Sequence, residues 1–285
     1  MKNKMIVFIV VLMSSFILFT PTLAATIEAN EHMDISYTDS GKGTPLILIH
    51  AFPTDKDLWM PQREELKKHF RVITLDLWGF GLSAPVDGQA VTMSDYADEV
   101  NQLLERLNIN KAIVGGESMG GYVTLAFLEK YPNKVEGLIL SDTQSIPDTD
   151  EAKTKRESSA LDVLDNGTAK FIEGFLPKAL SPSSSEDTRN FLRTLLEKQP
   201  AQAYASALRG MALRSDTSQL LANSSLPILI ISGEEDMVIN KQQSLNMHAL
   251  AKNSSLVLIK DAGHLSSLEQ PEEWNKAVIA RFTSS

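Results

Sequence analysis

The feature that most constrains the fold is a serine between two glycines, placed where a short strand pattern gives way to a helical one. Residues 112–114 are an apolar, β-branched run, and residues 122–131 show helical apolar spacing. Between them stands Gly116-Glu117-Ser118-Met119-Gly120. Such a tight turn needs flanking residues without a Cβ, and it brings the serine to a helix amino end, where negative charge is favoured. The G-x-S-x-G pattern alone recurs by chance, or as a plain glycine-rich connection. In this strand–turn–helix context it predicts Ser118 as a nucleophile.

Short apolar runs alternate with helical patterns along most of the chain. The pattern predicts strands at 35–37, 45–50, 72–75, 112–114, 135–140, 227–231 and 256–259. It predicts helices in the intervening segments, including 92–107, 122–131 and 272–282. Strands that are apolar throughout are typical of a parallel sheet buried on both faces. The expected fold class is therefore α/β, with a mostly parallel sheet flanked by helices.

One long segment interrupts this alternation. Residues from about 143 to 225 have no strand pattern, and they are polar with repeated helical patches such as 191–196 and 204–212. A structureless loop of this length is uncommon in a compact domain. We therefore expect a helical cap, inserted over the sheet at about 143–225 within one domain that spans 25–285.

The first 24 residues are typical of a signal peptide. Two lysines precede an apolar run at 5–19, and the small residues Thr22 and Ala24 occupy the positions before a cleavage site. The alternative is an uncleaved membrane anchor, which usually needs roughly 20 apolar residues. We expect cleavage after residue 24, export to the periplasm or the medium, and no stable membrane anchor afterwards.

Composition excludes several classes of function. The chain has 27 Lys and Arg against 36 Asp and Glu, a net charge of −9, and no long basic run, so nucleic acid is not an expected partner. It has no cysteine, which excludes disulfides, thiolate nucleophiles and cysteine-ligated metals. The phosphate-binding, dinucleotide-binding and H-E-x-x-H patterns are also absent from the sequence, so we predict no metal and no organic cofactor.

A serine hydroxyl needs a base to become a nucleophile. His264 is the candidate, because Gly263-His264 follows the last predicted strand and so lies at the same edge of the sheet as Ser118. The other histidines stand near the N-terminus, in helical patterns or after an early strand, and they are His32, His69, His248 and His50.

The base needs a carboxylate partner, and Gly233-Glu234-Glu235-Asp236 follows the predicted strand 227–231. Asp236 is favoured, because the chain needs a few residues to turn over the strand end toward His264. Glu234 and Glu235 are interpreted as solvated loop acids. Asp142, after the preceding strand, is the rival for the same role.

An oxyanion formed by attack of the serine needs two N–H donors. The amide of Met119, directly after the nucleophile, should be one of them. The other should be the amide of Phe52, in the loop His50-Ala51-Phe52-Pro53 after the second predicted strand. The imidazole of His50 is then a structural group that orients the loop. The alternative is an ordinary turn with a proline at its corner.

Taken together and in chain order, the motifs described above resemble those of the α/β-hydrolase superfamily, and the resemblance covers nearly all of the chain after residue 24. The segments that carry the resemblance are 50–53, 76–83, 116–121, 233–236 and 263–264. The resemblance implies an α/β-hydrolase fold, with Ser118 as nucleophile, Asp236 as acid and His264 as base. It implies Phe52 and Met119 as oxyanion donors, and Asp76 as a structural loop residue. Residues 207–212 are similar to the cap of capped esterases, enol-lactonases and cofactor-free haloperoxidase-like members.

The resemblance also implies a class of reaction. A serine in the strand–turn–helix elbow at 116–120 argues against epoxide hydrolases and haloalkane dehalogenases. The expected substrate is therefore a small carboxylic ester or lactone, which is cleaved through an acyl-serine. C–C bond hydrolysis, amide or peptide hydrolysis and perhydrolysis use the same residues, and a receptor-like protein that binds with little turnover is a further alternative. Apolar cap residues are expected to form either a small pocket or the cap's own core, and they are Phe171, Phe175, Leu176, Tyr204 and Met211.

Two positions depart from the superfamily pattern. Ala51 stands where glycine is usual, and Glu117 stands where an uncharged residue is common. Because Glu117 directly precedes Ser118, we expect its carboxylate to lie near His264. A negative charge there would raise the pKa of the imidazole.

Overall fold

The computed structural model describes residues 35–283, so the predicted signal peptide at 1–24 and His32 lie outside the described residues. Seven strands form one sheet, with the bounds β1 Tyr37–Gly41, β2 Pro45–Ile49, β3 Arg71–Leu75, β4 Ala112–Glu117, β5 Val135–Ser141, β6 Ile228–Gly233 and β7 Ser254–Ile259. The strand order is β1-β3-β2-β4-β5-β6-β7. β1 runs antiparallel to β3, and the other neighbouring pairs within residues 35–283 are parallel. The expected mostly parallel sheet is confirmed.

Helices flank the sheet and fill the connections between its strands. Their bounds are α1 Met60–Leu66, α2 Met93–Arg106, α3 Met119–Lys130, α4 Asp150–Asn166, α5 Ala169–Ala179, α6 Glu186–Glu197, α7 Ala201–Ala212, α8 Ser218–Asn223, α9 Gln242–Leu250, α10 Ser266–Glu269 and α11 Pro271–Phe282. α2 shows why the sequence pattern works. Thr92 and Asp95 form a reciprocal capping box at its start, and its apolar face is buried.

The sheet is the centre of the hydrophobic core. Every residue of β4 and β6 is buried, and β5 is buried except at Glu136. This burial on both faces explains why these strands are apolar without alternation. On one side of the core, Trp59 and Trp274 pack together with ring centroids 5.2 Å apart, which joins the start of α1 to α11.

The segment between β5 and β6 contains five of the helices, α4 to α8, and within its residues the structure has no strand. α4 and α7 pack along each other, and α5 packs against α6. No helix within residues 35–283 is long and apolar enough to cross a membrane.

The structure differs from the sequence prediction at the end of β4. The apolar pattern ends this strand at Val114, but the strand continues through Gly115 and Gly116 to Glu117. A Cβ on Gly115 would lie 2.7 Å from the Cβ of Ile139, so the close approach of β5 requires glycine there. Glycine is a weak strand former, and local propensity therefore hides the end of this strand. The difference at β1 is larger, because the strand spans Tyr37–Gly41 and shares only Tyr37 with the predicted strand at 35–37.

Candidate active site

The turn between β4 and α3 holds Ser118 in a strained backbone conformation. Its φ is 55° and its ψ −114°, a positive φ that is uncommon for a residue with a side chain. Both flanking glycines are sterically required. A Cβ on Gly116 would lie 2.1 Å from the carbonyl carbon of Gly120, and one on Gly120 would lie 2.1 Å from the carbonyl oxygen of Ile49. The elbow is therefore fixed by close backbone packing.

The structure brings the three sequence-predicted residues Ser118, His264 and Asp236 into one hydrogen-bonded relay. The Oγ of Ser118 lies 2.8 Å from Nε2 of His264, and Nδ1 of His264 lies 2.9 Å from Oδ2 of Asp236. The other carboxylate oxygen of Asp236 accepts the backbone N–H groups of Val238 and Ile239 at 2.7 and 2.8 Å. This carboxylate is thus held on both oxygens, in the geometry that a serine, a base and an orienting acid require.

The surroundings of His264 set its affinity for a proton. Burial lowers the pKa of its imidazole, but the charge of Asp236 and the hydrogen bond from Nδ1 outweigh that effect, with smaller contributions from Asp142 and Glu269. The net result is a pKa above the ordinary histidine value. The carboxylates therefore stabilise the imidazolium that forms when the serine gives up its proton.

Asp142, the rival acid, lies near the relay without joining it. Its Oδ1 accepts the N–H of Gly233 at 2.7 Å, and its Oδ2 accepts the hydroxyls of Ser141 and Ser266. Burial, followed by the charge of Asp236, raises the pKa of Asp142 to about 7. The other two candidate acids also stay out of the relay, and Glu235 instead accepts the hydroxyl of Ser181 at 2.6 Å.

Glu117 forms no hydrogen bond with the relay within the described residues. Its carboxylate points toward α10, where it accepts the N–H of Ser267 at 3.1 Å and the hydroxyl of Ser267 at 2.7 Å. Burial, followed by the charge of Asp142, raises the pKa of Glu117 well above its ordinary value. Glu117 is therefore the buried partner of Asp142 behind the relay, and the second carboxylate that acts on His264 is Asp142.

The two predicted oxyanion donors are backbone N–H groups of buried residues. The amides of Phe52 and Met119 are buried, and neither donates a hydrogen bond within the described part of the chain. His50 fixes the loop that carries Phe52. Its Nδ1 lies 2.9 Å from the carbonyl of Ala51, and its Nε2 accepts the N–H of Leu77 at 3.1 Å, an arrangement that suits a neutral imidazole.

Asp76 has the structural role that the resemblance implies. Its carboxylate accepts the backbone N–H of Lys56 and of Leu82, and it forms an ion pair of 2.6 Å with the ammonium of Lys56. These contacts join the loop after β3 to the loop after β2.

Glu269 is the residue that sequence reasoning missed. Its carboxylate accepts the N–H of Gly263 at 2.7 Å and the N–H of Ser181 at 2.7 Å, which ties the loop bearing His264 to the helical insertion. The signal for it was weak: one acidic residue shortly after the histidine, in a segment that has many acidic residues.

A cleft of about 1230 Å³ opens above Ser118 and His264, and its far wall is formed by α4 and α5. Of the predicted apolar residues, Phe171, Phe175 and Met211 line the cleft, whereas Tyr204 and Leu176 are buried in the packing behind it. Phe52 and Phe171 meet edge to face with centroids 5.7 Å apart. The predicted apolar residues thus divide between the lining of the cleft and the core of the cap, and the cleft is larger and more polar than the expected small hydrophobic pocket.

Fold and site together define a class of protein. A profile of the alpha/beta hydrolase fold matches residues 44–271, and the chain belongs to that family. The protein is a hydrolase. Within residues 35–283, no cluster of three histidine, aspartate or glutamate side chains could hold a metal ion.

Individual relatives are consistent with this membership. The AB hydrolase superfamily protein YisY of Bacillus subtilis is 30% identical over 278 residues, 91% of this chain and 98% of the relative. The 3-oxoadipate enol-lactonase 1 of Acinetobacter baylyi is 28% identical over 234 residues, 80% of this chain and 85% of that enzyme. Among solved structures, a thermophilic esterase from Thermogutta terrifontis, with malate bound, is 37% identical with a TM-score of 0.84, covering 86% of this chain and 92% of that one.

Proposed function

We propose that this hydrolase cleaves a small carboxylic ester or lactone through an acyl-serine intermediate. The observation that carries the proposal is the relay of two hydrogen bonds, 2.8 Å and 2.9 Å long, from Ser118 through His264 to Asp236. Two buried amides without protein acceptors, on Phe52 and Met119, support it. The esterase and enol-lactonase names of relatives agree with the ester or lactone class.

The proposed reaction follows from the geometry. Nε2 of His264 takes the proton of Ser118 as Oγ attacks the carbonyl carbon, and the two amides stabilise the resulting oxyanion. The imidazolium then protonates the leaving alkoxide, which departs as an alcohol, or stays attached as a hydroxyl if the substrate is a lactone. His264 next activates a water molecule, which releases the carboxylic acid and restores the serine. Asp236 holds the imidazole in the productive tautomer throughout.

The proposal is tested by labelling and by turnover on purified protein. A fluorophosphonate probe should label the wild type, and Ser118→Ala should abolish both labelling and hydrolysis of p-nitrophenyl esters and simple lactones. Ser158→Ala is the matched control, because Ser158 is an exposed serine that lines the same cleft. Labelling that survives in Ser118→Ala would exclude Ser118 as nucleophile. Labelling without turnover on any substrate would favour the alternative of a binding protein.

Export is a separate part of the proposal, and it depends on the sequence of residues 1–24. We infer that this segment is removed as a signal peptide, so the N-terminal sequence of protein recovered outside the cytoplasm should begin at Ala25. Recovery of a membrane-bound product that begins at Met1 would favour the anchor instead. Nucleic acid stays excluded as an expected partner on charge alone.

A further inference from the structure

A charged cluster lies outside the relay, and two of its three side chains, Asp148 and Arg156, line the cleft. The cluster consists of Asp148, Arg156 and Arg214. The carboxylate of Asp148 accepts a hydrogen bond from Nε of Arg156 at 2.5 Å and lies 2.8 Å from Nη2 of Arg214. The side chains of Asp148 and Arg214 are only 5% and 6% exposed, so the ion pairs are largely removed from water. Two guanidinium groups share one carboxylate, and the cluster therefore carries one positive charge in excess.

Several hydrogen-bond donors of this cluster are unused. Nε of Arg214 is buried and has no hydrogen-bond partner among residues 35–283. Nη1 of Arg156 contacts the sulfur of Met211 at 3.4 Å, and a thioether is a weak acceptor. Arg214 does not line the cleft, whereas Arg156 does, and its Nε and Nη2 already donate to Asp148. Nη1 of Arg156 is therefore the guanidinium donor left for a ligand that brings acceptor oxygens.

The cluster is close to the nucleophile. The N–H of Tyr122 donates to the carbonyl of Ser118 at 3.3 Å, so Tyr122 lies one helical turn after the nucleophile. The guanidinium of Arg214 stacks on the Tyr122 ring, 4.2 Å from its centroid. Ser118, Tyr122 and Arg156 all line the same cleft. The Tyr122 side chain adds a hydroxyl donor to this part of the cleft lining.

The other charged side chains of the cleft lie farther out, on the rim. Asp162 and Lys170 pair with each other at 3.0 Å, and Lys170 is exposed. The remaining charged groups of the rim are exposed acids and lysines of α4 and α5, namely Asp150, Glu151, Lys155 and Lys178. Solvent and salt screen these exposed charges, whereas they screen the buried cluster much less.

We propose that Arg156 and Tyr122, backed by Asp148 and Arg214, bind a carboxylate group of the substrate. This inference rests on the proposed function and narrows it to esters or lactones that carry a second, free carboxylate, such as half-esters of dicarboxylic acids. A carboxylate forms charge-assisted hydrogen bonds with a guanidinium N–H, and Nη1 of Arg156 is the group that remains for it. Bound there, it would orient the scissile carbonyl toward Ser118.

The test compares esters that differ only in this charge. Monoethyl succinate is paired with ethyl levulinate, in which a neutral methyl ketone replaces the carboxylate. Acetoxyacetate and acetoxyacetone make the same comparison on the alcohol side. In a pH-stat assay we expect kcat/KM for the anionic member of one pair to exceed that of its neutral partner by about 10- to 100-fold, the scale of a charge-assisted contact.

Three variants assign the preference to named groups. Arg156→Gln should remove most of the anionic preference, Tyr122→Phe should reduce it, and Arg156→Lys should restore part of it. Lys155→Gln is the matched control, since Lys155 is a cation of the same helix that lines the same cleft, and it should keep the preference. Thermal denaturation of each variant verifies that it folds.

A binding experiment separates this inference from the proposed function. Succinate should bind the Ser118→Ala variant in calorimetry, and the additional substitution Arg156→Gln should weaken that binding by a similar factor. Wild-type protein that cleaves the neutral esters as well as or better than the anionic ones in both pairs would overturn the carboxylate site and leave the proposed function standing. If no ester or lactone is cleaved, the proposed function fails, and succinate binding that Arg156→Gln abolishes would still support the anion site.

Discussion

The buried pair of carboxyl groups behind the relay should make the stability of the fold depend on pH in an unusual direction. Glu117 and Asp142 are both fully buried, and each has a raised pKa, with that of Asp142 raised from 3.8 to about 7. A group with a raised pKa holds its proton in the folded chain at a pH where the unfolded chain has lost it. Its stabilising effect is complete below the unfolded pKa and disappears as pH rises through the folded value.

The size of the effect follows from proton counting. Each proton held by the folded chain alone changes the free energy of unfolding by about 1.4 kcal/mol per pH unit. The pair holds at least one such proton between roughly pH 5 and pH 7, the interval between the ordinary carboxyl pKa values and the raised ones. As pH rises from about 5 to about 7, the free energy of unfolding should therefore fall by about 3 kcal/mol because of this pair alone.

The double variant Glu117→Gln/Asp142→Asn removes both protons and keeps the side-chain shapes. Urea denaturation followed by tryptophan fluorescence at several pH values between 5 and 8 gives the slope for each protein. The wild-type slope should be more negative than the variant slope by about 1.4 kcal/mol per pH unit or more. The control, Glu136→Gln/Asp165→Asn, changes one exposed glutamate and one exposed aspartate and should leave the slope as in the wild type. Equal slopes for wild type and double variant would refute the buried, protonated pair.

Three more outcomes are expected. Asp236→Asn should lower kcat by about 10⁴-fold and Asp142→Asn far less, because only Asp236 contacts His264. Both effects are measured as kcat per titrated active site. The reverse ranking would contradict the assignment of Asp236 as the acid. Glu269→Gln removes a charge that raises the pKa of His264, so the acidic limb of the pH profile of kcat/KM should move to lower pH. An unchanged limb would show that Glu269 does not act on the pKa of His264. Gly120→Ala should lower the free energy of unfolding by about 3 kcal/mol or more, because the new Cβ would lie 2.1 Å from a backbone oxygen. Gly174→Ala is the control, because a Cβ at this helical position meets nothing within 4 Å. Similar urea midpoints for the two alanine variants would contradict the steric argument.

The sequence could predict where Ser118, Asp236 and His264 meet, because topology places them. In a parallel sheet, the loops after successive strands emerge at one edge, so three residues that each follow a predicted strand must lie near one another. Apolar runs located those strands to within a few residues, and β6 begins one residue after the predicted start. The residues of the relay are thus recoverable from local patterns and chain order.

The orientation of Glu117 could not be predicted in this way. It depends on Ser267, which is 150 positions away and whose N–H and hydroxyl draw the carboxylate toward α10. Local sequence predicts that Glu117 adjoins Ser118, but not that the strand extends through Glu117 or that its carboxylate binds Ser267. The cluster of Arg156, Arg214 and Asp148 could not be predicted for the same reason. Helix packing within the insertion, which local sequence does not reveal, brings these residues together.

The contacts of Asp142 and Asp236 explain how one buried site accommodates two aspartates with different roles. They follow the adjacent strands β5 and β6, and the charge of Asp236 raises the pKa of Asp142. Two neighbouring buried carboxylates cannot both ionise without a large electrostatic cost. Asp142 accepts hydrogen bonds from Ser266 and Gly233, which lower its pKa, but burial and the charge of Asp236 outweigh them, so its carboxyl keeps its proton up to about pH 7. Asp236 instead accepts two backbone N–H groups and lies 2.9 Å from Nδ1 of the imidazole, so it is the carboxylate directed at the base.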